Sequence, residues 1–471
     1  MNIPPHVFVS RKHTIRQVIN AIDKNGLGVA IVVDSRHVLQ GIITAGDVRR
    51  MLRDGTDLKA YAEQIMNTHP IFIAMKKVEQ SERATYAHVF RKIQKLEKRI
   101  SETIEQITVP VLDGKKRVVK ILVYSLGDHK ISLLEKKTIL SNNGVRRVLV
   151  VGGAGYLGSV LSEVLLSEGY RVRVLDTLHF GQESLKRFQK NQNFELIVGD
   201  VRDITTMNAA IDGADAVIHL AAIVGDPASK KYPKETIESN YLATICLSLA
   251  CKYHQINRFI FASTCSVYGI NKNIISEESP LNPVSLYART KIESEKGILS
   301  LADDNFHPII LRMSTLYGLS SRMRFDLVVN IFTKMALTQG IIHIFGGKQW
   351  RPFLHVRDAA QAYVVCLKAP MKLLQKLKNP IFNVGSDDQN LSIESLGKLV
   401  QQVLPKTKIE IAEAKDEQGI VDRRTYRVSF KKMQKTFHFQ THHTISEAIR
   451  EIRDAIHKKI IKNVNEAKYY N

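Results

Sequence analysis

The spacing of apolar and polar residues changes period several times along the chain, and those changes divide it. Thr14 to Lys24 (TIRQVINAIDK) sets its apolar residues three and four apart, which predicts one buried helix face. Gly28 to Asp34 (GVAIVVD) and Leu39 to Thr44 (LQGIIT) are short β-branched runs and predict strands, and helical spacing returns from Gly46 onward. The order then repeats more weakly, with a helical stretch around Ala84 to Leu96 and strands at Thr108 to Asp113 (TVPVLD) and Arg117 to Tyr124 (RVVKILVY). Two units of helix, strand, strand and helix make an internal repeat. Lys130 to Asn143 is polar and unpatterned, which predicts a boundary, and a new β-rich start follows at Val145.

Beyond that boundary, strand and helix alternate. Arg147 to Val151 (RVLVV) and Tyr170 to Leu175 (YRVRVL) read as buried strands on either side of a helix from Ser159 to Glu168. Phe194 to Val198 leads to Asp200 and Val201, Ala216 to Leu220 to Ala221 and Ala222, and Arg258 to Ala262 into Ser263 and Thr264. Alternation of this kind predicts an α/β fold, a Rossmann-type doubly wound parallel sheet with ligands at the carboxyl ends of its strands.

Two clusters along this sheet carry chemistry. Between the first strand and its helix lies Gly152-Gly153-Ala154-Gly155-Tyr156-Leu157-Gly158. Small residues there let the backbone approach a pyrophosphate, while the helix N-terminus offers free N–H groups and a favourable dipole. The second strand runs into Asp176, where a carboxylate can accept hydrogen bonds from the adenosine ribose, and no arginine follows at once to hold a 2′-phosphate. The cofactor so predicted is NAD. Farther on, Tyr287 and Lys291 stand one turn apart in LYARTKIESEK. A phenol of ordinary pKa near 10 is a poor base at neutral pH, and a neighbouring ammonium lowers that value.

Composition narrows the classes. At 471 residues the chain exceeds one ordinary core, so two or more domains are expected. The formal net charge of +22 favours anionic partners such as nucleotides and diphosphates; no nucleic-acid-binding motif accompanies it. No run reaches the roughly 18 to 20 apolar residues of a membrane span, and the opening MNIPPHVFVSRK lacks a signal-peptide core, which predicts a cytoplasmic protein. Cys246, Cys251, Cys265 and Cys366 show no metal-ligand spacing, so neither zinc nor disulfides are expected.

GGAGYLG, HLAA at His219 to Ala222, STCSVYG at Ser263 to Gly269, YARTK at Tyr287 to Lys291, FGGKQWRPFLHVRDAAQA and FNVGSDDQN together resemble the extended short-chain dehydrogenase/reductase superfamily, in its nucleotide-sugar epimerase/dehydratase group. The resemblance covers residues 146 to 471 and implies a smaller C-terminal substrate lobe beside the sheet. It makes Tyr287 the general base, Lys291 the residue that holds the nicotinamide ribose and tunes Tyr287, and Thr264 the partner of the reacting hydroxyl, a role Ser263 could share. It sets Gly152, Gly155, Tyr156, Leu157, Gly158, Asp176, Ala221 and Ala222 around NAD, Asp200 and Val201 beside the adenine, and Asn240 as a brace for the active-site helix. Arg351 and Arg424 become the diphosphate-binding arginines, with Arg423 and Arg427 near enough to compete for the second place. The N-terminal repeat, residues 1 to 130, resembles a CBS-domain pair, an α+β module joined through a linker at 131 to 145. There ITAGDVRRMLRDG implies that Thr44 and Asp47 contact an adenosine nucleotide; LVYSLGD at the matching place of the second copy leaves a second site in doubt, and dimerisation is the alternative role. Both parts imply a homodimer, and the CBS segment hints at polysaccharide synthesis.

Within the group, dehydratases carry an Asp-Glu pair directly after the catalytic Thr, where this chain has Cys265 and Ser266. Epimerisation of a nucleotide-sugar, at C4, by transient oxidation and hydride return, is therefore the expected reaction. A dehydratase, decarboxylase or dehydrogenase is the alternative, and a non-catalytic NAD or nucleotide sensor the alternative from another class.

Overall fold

A computed structural model of the chain describes residues 3, 5–25, 27–53, 57–70, 72–74, 106–125, 130–135, 145–412 and 424–470. It divides into two units, Met1–Ile139 and Leu140–Asn471.

In the smaller unit the repeat is visible as topology. Strand β1 (Phe8–Val9), helix α1 (Ile15–Asn25), β2 (Val29–Val33), β3 (Leu39–Thr44) and α2 (Ala45–Arg53) form the first copy. The second contains β4 (Ile73–Ala74), β5 (Gln106–Leu112) and β6 (Val118–Ser125); the helix expected at Ala84 to Leu96 lies outside the described residues. In each copy the first strand pairs parallel with the second, and the second antiparallel with the third. The hairpins match in detail. Asp34 and Asp113 each accept the N–H of the residue three on, and His37 and Lys116 each take φ 62°. The two hairpins then bond to each other reciprocally, Leu39 N to Lys116 O and Val118 N to His37 O, about a local dyad.

The copies part after their third strand. Helix α2 follows β3, whereas Lys130–Glu135, read from the sequence as unpatterned, is a strand, β7, antiparallel to β6. Its alternation in KISLLE is too short to stand out against the polar residues after it.

The larger unit is built on seven parallel strands: β8 (Arg147–Val151), β9 (Arg171–Asp176), β10 (Phe194–Val198), β11 (Ala216–His219), β12 (Arg258–Thr264), β13 (His307–Met313) and β14 (Ile381–Val384). Their order is β10-β9-β8-β11-β12-β13-β14. Strand order reverses between β8 and β11, so the chain leaves those two strands in opposite directions and opens a crevice at their carboxyl ends. Apolar clusters fill both faces of the sheet, as two-sided β-branched strands require. Small satellite sheets, among them Ile270–Ile275 with Thr425–Val428 and Trp350–His355 between Thr315–Tyr317 and Asn390–Ser392, form a separate lobe with its own core.

Candidate active site

At the crevice, β8 runs through the glycine turn into α3 (Tyr156–Ser167). Gly152 takes φ +87°, and an added Cβ would stand 2.6 Å from the Ala221 N, so only glycine lets the β8 and β11 turns approach. A Cβ at Gly155 would instead meet nothing nearer than Gly152 O at 3.4 Å, and no side chain caps the helix at that residue. The start of α3 thus presents N–H groups to a cradle kept open by a missing side chain, the fit a dinucleotide pyrophosphate needs.

Asp176, at the end of β9, accepts the Ala154 N–H at 2.9 Å and the Leu178 N–H at 2.9 Å. Burial raises its pKa, and two of its four acceptor positions are left for ribose hydroxyls. Asp200 carries Arg202 on its carboxylate at 2.7 Å, while Val201 beside it is buried. Tyr156 and Gly158 are buried in the α3 packing, and the Tyr156 hydroxyl donates to Gly318 O at 2.7 Å, away from the turn.

Helix α6 (Leu286–Ser300), capped by Ser285, carries Tyr287 and Lys291 over the end of β12. Both are buried, at 9 % and 2 % exposure. The Lys291 Nζ donates to Ala262 O at 2.8 Å and sits 4.5 Å from the Phe261 ring centroid. Burial lowers its pKa to about 7, partly offset by Glu295. Burial likewise raises Tyr287 to about 12; Asp226 adds to the rise, while Arg324 and the facing Thr264 hydroxyl draw it down. Desolvation outweighs these charges at Tyr287, and the same burial makes the Lys291 amine easier to deprotonate.

Successive residues of β12 face opposite ways, and this separates Ser263 from Thr264. Thr264 faces Tyr287, whereas the Ser263 hydroxyl, expected to share the reacting alcohol, donates to Glu295 behind the strand. Glu295 forms a two-point ion pair with Arg312, with bonds of 3.0 and 2.6 Å and both side chains 3 % exposed. Arg312 also reaches the Tyr268 hydroxyl at 2.9 Å, which donates to Asn383. Sequence reasoning missed this network. Its signal was a lone arginine within the apolar run of β13 and a glutamate one turn beyond Lys291.

An open nucleotide cradle and a buried Tyr, Lys and Thr meet at the same strand ends. The model of the NAD dependent epimerase/dehydratase family matches residues 148–385, just over half of the chain. The chain belongs to that family. A CBS domain model matches residues 1–54. The UDP-glucose 4-epimerase of Lactobacillus helveticus is 32 % identical over 284 residues, covering 55 % of this chain and 84 % of that protein. The UDP-N-acetyl-alpha-D-glucosaminuronate decarboxylase of Bacillus cytotoxicus is 30 % identical over 267 residues, 55 % of this chain and 80 % of that one. The UDP-glucuronic acid 4-epimerase of Bacillus cereus, solved with UDP-glucuronic acid and NAD, superimposes with a TM-score of 0.58 at 25 % identity, covering 66 % of this chain and 99 % of that chain. As a member of this family the chain is an NAD-dependent enzyme of the epimerase/dehydratase class.

Other residues singled out in the sequence lie around these strand ends or in the smaller lobe. Asn240 lies in a π-helical turn, Glu238–Leu242, the irregularity that aims its amide at Ile223: Oδ1 accepts the Ile223 N–H at 2.8 Å and Nδ2 donates to Ile223 O at 2.9 Å. Its own carbonyl accepts the Ser294 hydroxyl of α6 at 2.7 Å. One residue thereby ties the loop after Ala221 and Ala222 to the helix of Tyr287. Arg351 is buried, its guanidinium donating to Trp350 O and Arg424 O and lying 5.4 Å from the Tyr426 ring. Arg424 reaches Asp226 at 2.9 Å, while Arg427, on the other side of its strand, stacks on Trp350. Arg423 lies outside the described residues. Cys265 is buried, its thiol donating to Arg312 O at 3.3 Å, and burial raises its pKa.

In the smaller unit Thr44 and Asp47 meet at the start of α2. The Thr44 N–H and Oγ–H donate to Asp47 Oδ2 at 2.7 and 2.6 Å, the Asp47 N–H donates back to Thr44 Oγ at 3.2 Å, and Arg50 pairs with the other carboxylate oxygen. By the register of its hairpin, the second copy has Val123 at the position equivalent to Thr44.

Proposed function

We propose that the protein is a nucleotide-sugar 4-epimerase. The observation that carries this reading is the pairing of Tyr287 with Thr264 at the end of β12 while Cys265 and Ser266 occupy the following positions without a carboxylate. Bound NAD would supply the hydride acceptor and donor, held by the glycine turn, Asp176 and the strand ends. Tyr287 takes and returns the proton of the sugar hydroxyl, Thr264 holds that oxygen in line, and Lys291 lies beneath them to bind ribose and favour the phenolate. Without carboxylates at the two positions after Thr264, elimination lacks its usual proton carriers, which favours rotation of the keto-sugar and reduction from the opposite face. The similarity to a UDP-glucose 4-epimerase supports this reading, and the similarity to a decarboxylase keeps that reaction in the test. Incubating the protein with UDP-, GDP-, CDP- and dTDP-sugars and following products by NMR decides it: a C4 epimer supports the proposal, and loss of carbon dioxide or water overturns it.

Arg351 and Arg424 are proposed to take the diphosphate, since guanidinium groups pair with phosphate oxygens through two parallel bonds. Leu242, Cys246, Leu249 and Tyr253 project from one exposed face of helix α5 (Ala243–Tyr253) and its preceding turn, and support a homodimer. For the N-terminal module, the mutual saturation of Thr44 and Asp47 supports a dimerisation platform over an adenosine-nucleotide site at these two residues, and calorimetry with AMP and ATP separates the two.

A further inference from the structure

Asp226, the first residue of helix α4 (Asp226–Lys231), is a part of the cleft that no role above employs. Gly225 before it takes φ +93°, and the helix packs against α6, which carries Tyr287. One carboxylate oxygen of Asp226 bonds Arg424 at 2.9 Å. The other is buried and has no hydrogen-bond partner among the described residues. The carboxylate also lies near enough to Tyr287 to disfavour its phenolate. A hexose joined to a diphosphate at the two arginines, with its hydroxyl at Tyr287, must lie across this side chain.

A buried carboxylate oxygen without a donor is costly, and a ligand that brings an O–H or N–H to it recovers that cost. A diphosphate that draws Arg424 to itself leaves both oxygens wanting donors. A second carboxylate in the same place meets like charge and no donor, which selects against it. Resting on the nucleotide-sugar reading above, we infer that Asp226 is a specificity-determining residue: it accepts hydrogen bonds from the hydroxyl or amino groups of a neutral or amino sugar and excludes sugars that carry a carboxylate. The chain therefore acts on neutral or amino hexoses and not on glycuronic acids, the sugars named for two of its relatives notwithstanding.

The test is calorimetric binding of UDP, UDP-glucose and UDP-glucuronate to the full chain with NAD, with turnover followed in parallel. The expected result is UDP-glucuronate binding at least about ten-fold more weakly than UDP-glucose. In Asp226→Asn that ratio falls toward one, and in Asp226→Glu, which keeps the charge, it persists. Dividing by the affinity for UDP alone removes whatever the variants do to Arg424. Equal binding of the two sugars by the wild type, or a ratio unmoved in Asp226→Asn, overturns the inference even where epimerisation is observed. The expected ratios without conversion of any sugar in the panel above overturn the 4-epimerase proposal and leave Asp226 as the selecting group. Binding of none of the three, with GDP-, CDP- and dTDP-glucose equally unbound, overturns both.

Discussion

A strand runs directly into a helix at β8–α3 and again at β3–α2, yet the two turns treat their free N–H groups in opposite ways. At β8–α3 the helix start has no side-chain cap, and glycine leaves the space before it open. At β3–α2 Thr44 and Asp47 saturate each other in a reciprocal cap, and Arg50 takes the remaining carboxylate oxygen. A helix start left bare is completed by a ligand; one that completes itself must first be undone. The difference teaches that an acid and a hydroxyl at a helix N-terminus are not equivalent to a cradle, even where a sequence motif sets them side by side.

The largest expected effect asks whether the open turn serves chemistry. Tyr287→Phe should lower turnover by about a thousand-fold or more while the purified protein still carries NAD, measured by product NMR and by extraction of the cofactor. Near-normal turnover would remove Tyr287 from the mechanism. Filling the turn comes next. Gly152→Val combines a positive φ with a Cβ on Ala221 N, so NAD content should fall to background and the melting temperature should drop; full NAD occupancy would mean that the turn tolerates a side chain.

The buried amine beneath this site predicts a pH effect. Lys291 falls from its ordinary 10.5 to about 7 in the fold. Between those values the unfolded chain holds a proton that the folded chain has shed, so this group makes stability rise with pH from about 7 to about 10. Guanidinium unfolding of Lys291→Met should show a flatter rise over that window than the wild type, and parallel curves would refute the shift. The smallest effect belongs to the closed turn. Thr44→Ala removes a helix cap worth about 1 kcal/mol, so the unfolding transition of the N-terminal unit should move by that amount. If AMP stabilises the wild type but not this variant, the cap is displaced by ligand and the contrast between the turns narrows.

Much of the fold was written in local pattern. Arg147–Val151, Phe194–Val198 and Leu39–Thr44 have the bounds that their β-branched runs predict; for Arg147–Val151 the run is unbroken because the strand is buried on both faces. The glycine turn and the Tyr287, Lys291 and Thr264 cluster were legible for a related reason: their spacing along one strand end and one helix face survives folding unchanged. What was not legible depends on residues distant in sequence. The acidity of Tyr287 depends on how deeply it is buried, which spacing does not report. Ser263 is turned from the cleft by Glu295 and Arg312, and Asp226 becomes part of the site through Arg424, nearly 200 positions away. Strand β7 was missed because its pairing with β6, and not its own short pattern, makes it a strand.

That strand has a consequence for how the N-terminal unit could respond to a small molecule. The local dyad joins two hairpins of nearly the same shape, but only one of them leads into a helix with a threonine and an aspartate at its start. If AMP does displace the Thr44 cap, its binding should saturate in one step with a stoichiometry of one per chain, and any sigmoidal response would require communication between separate polypeptides.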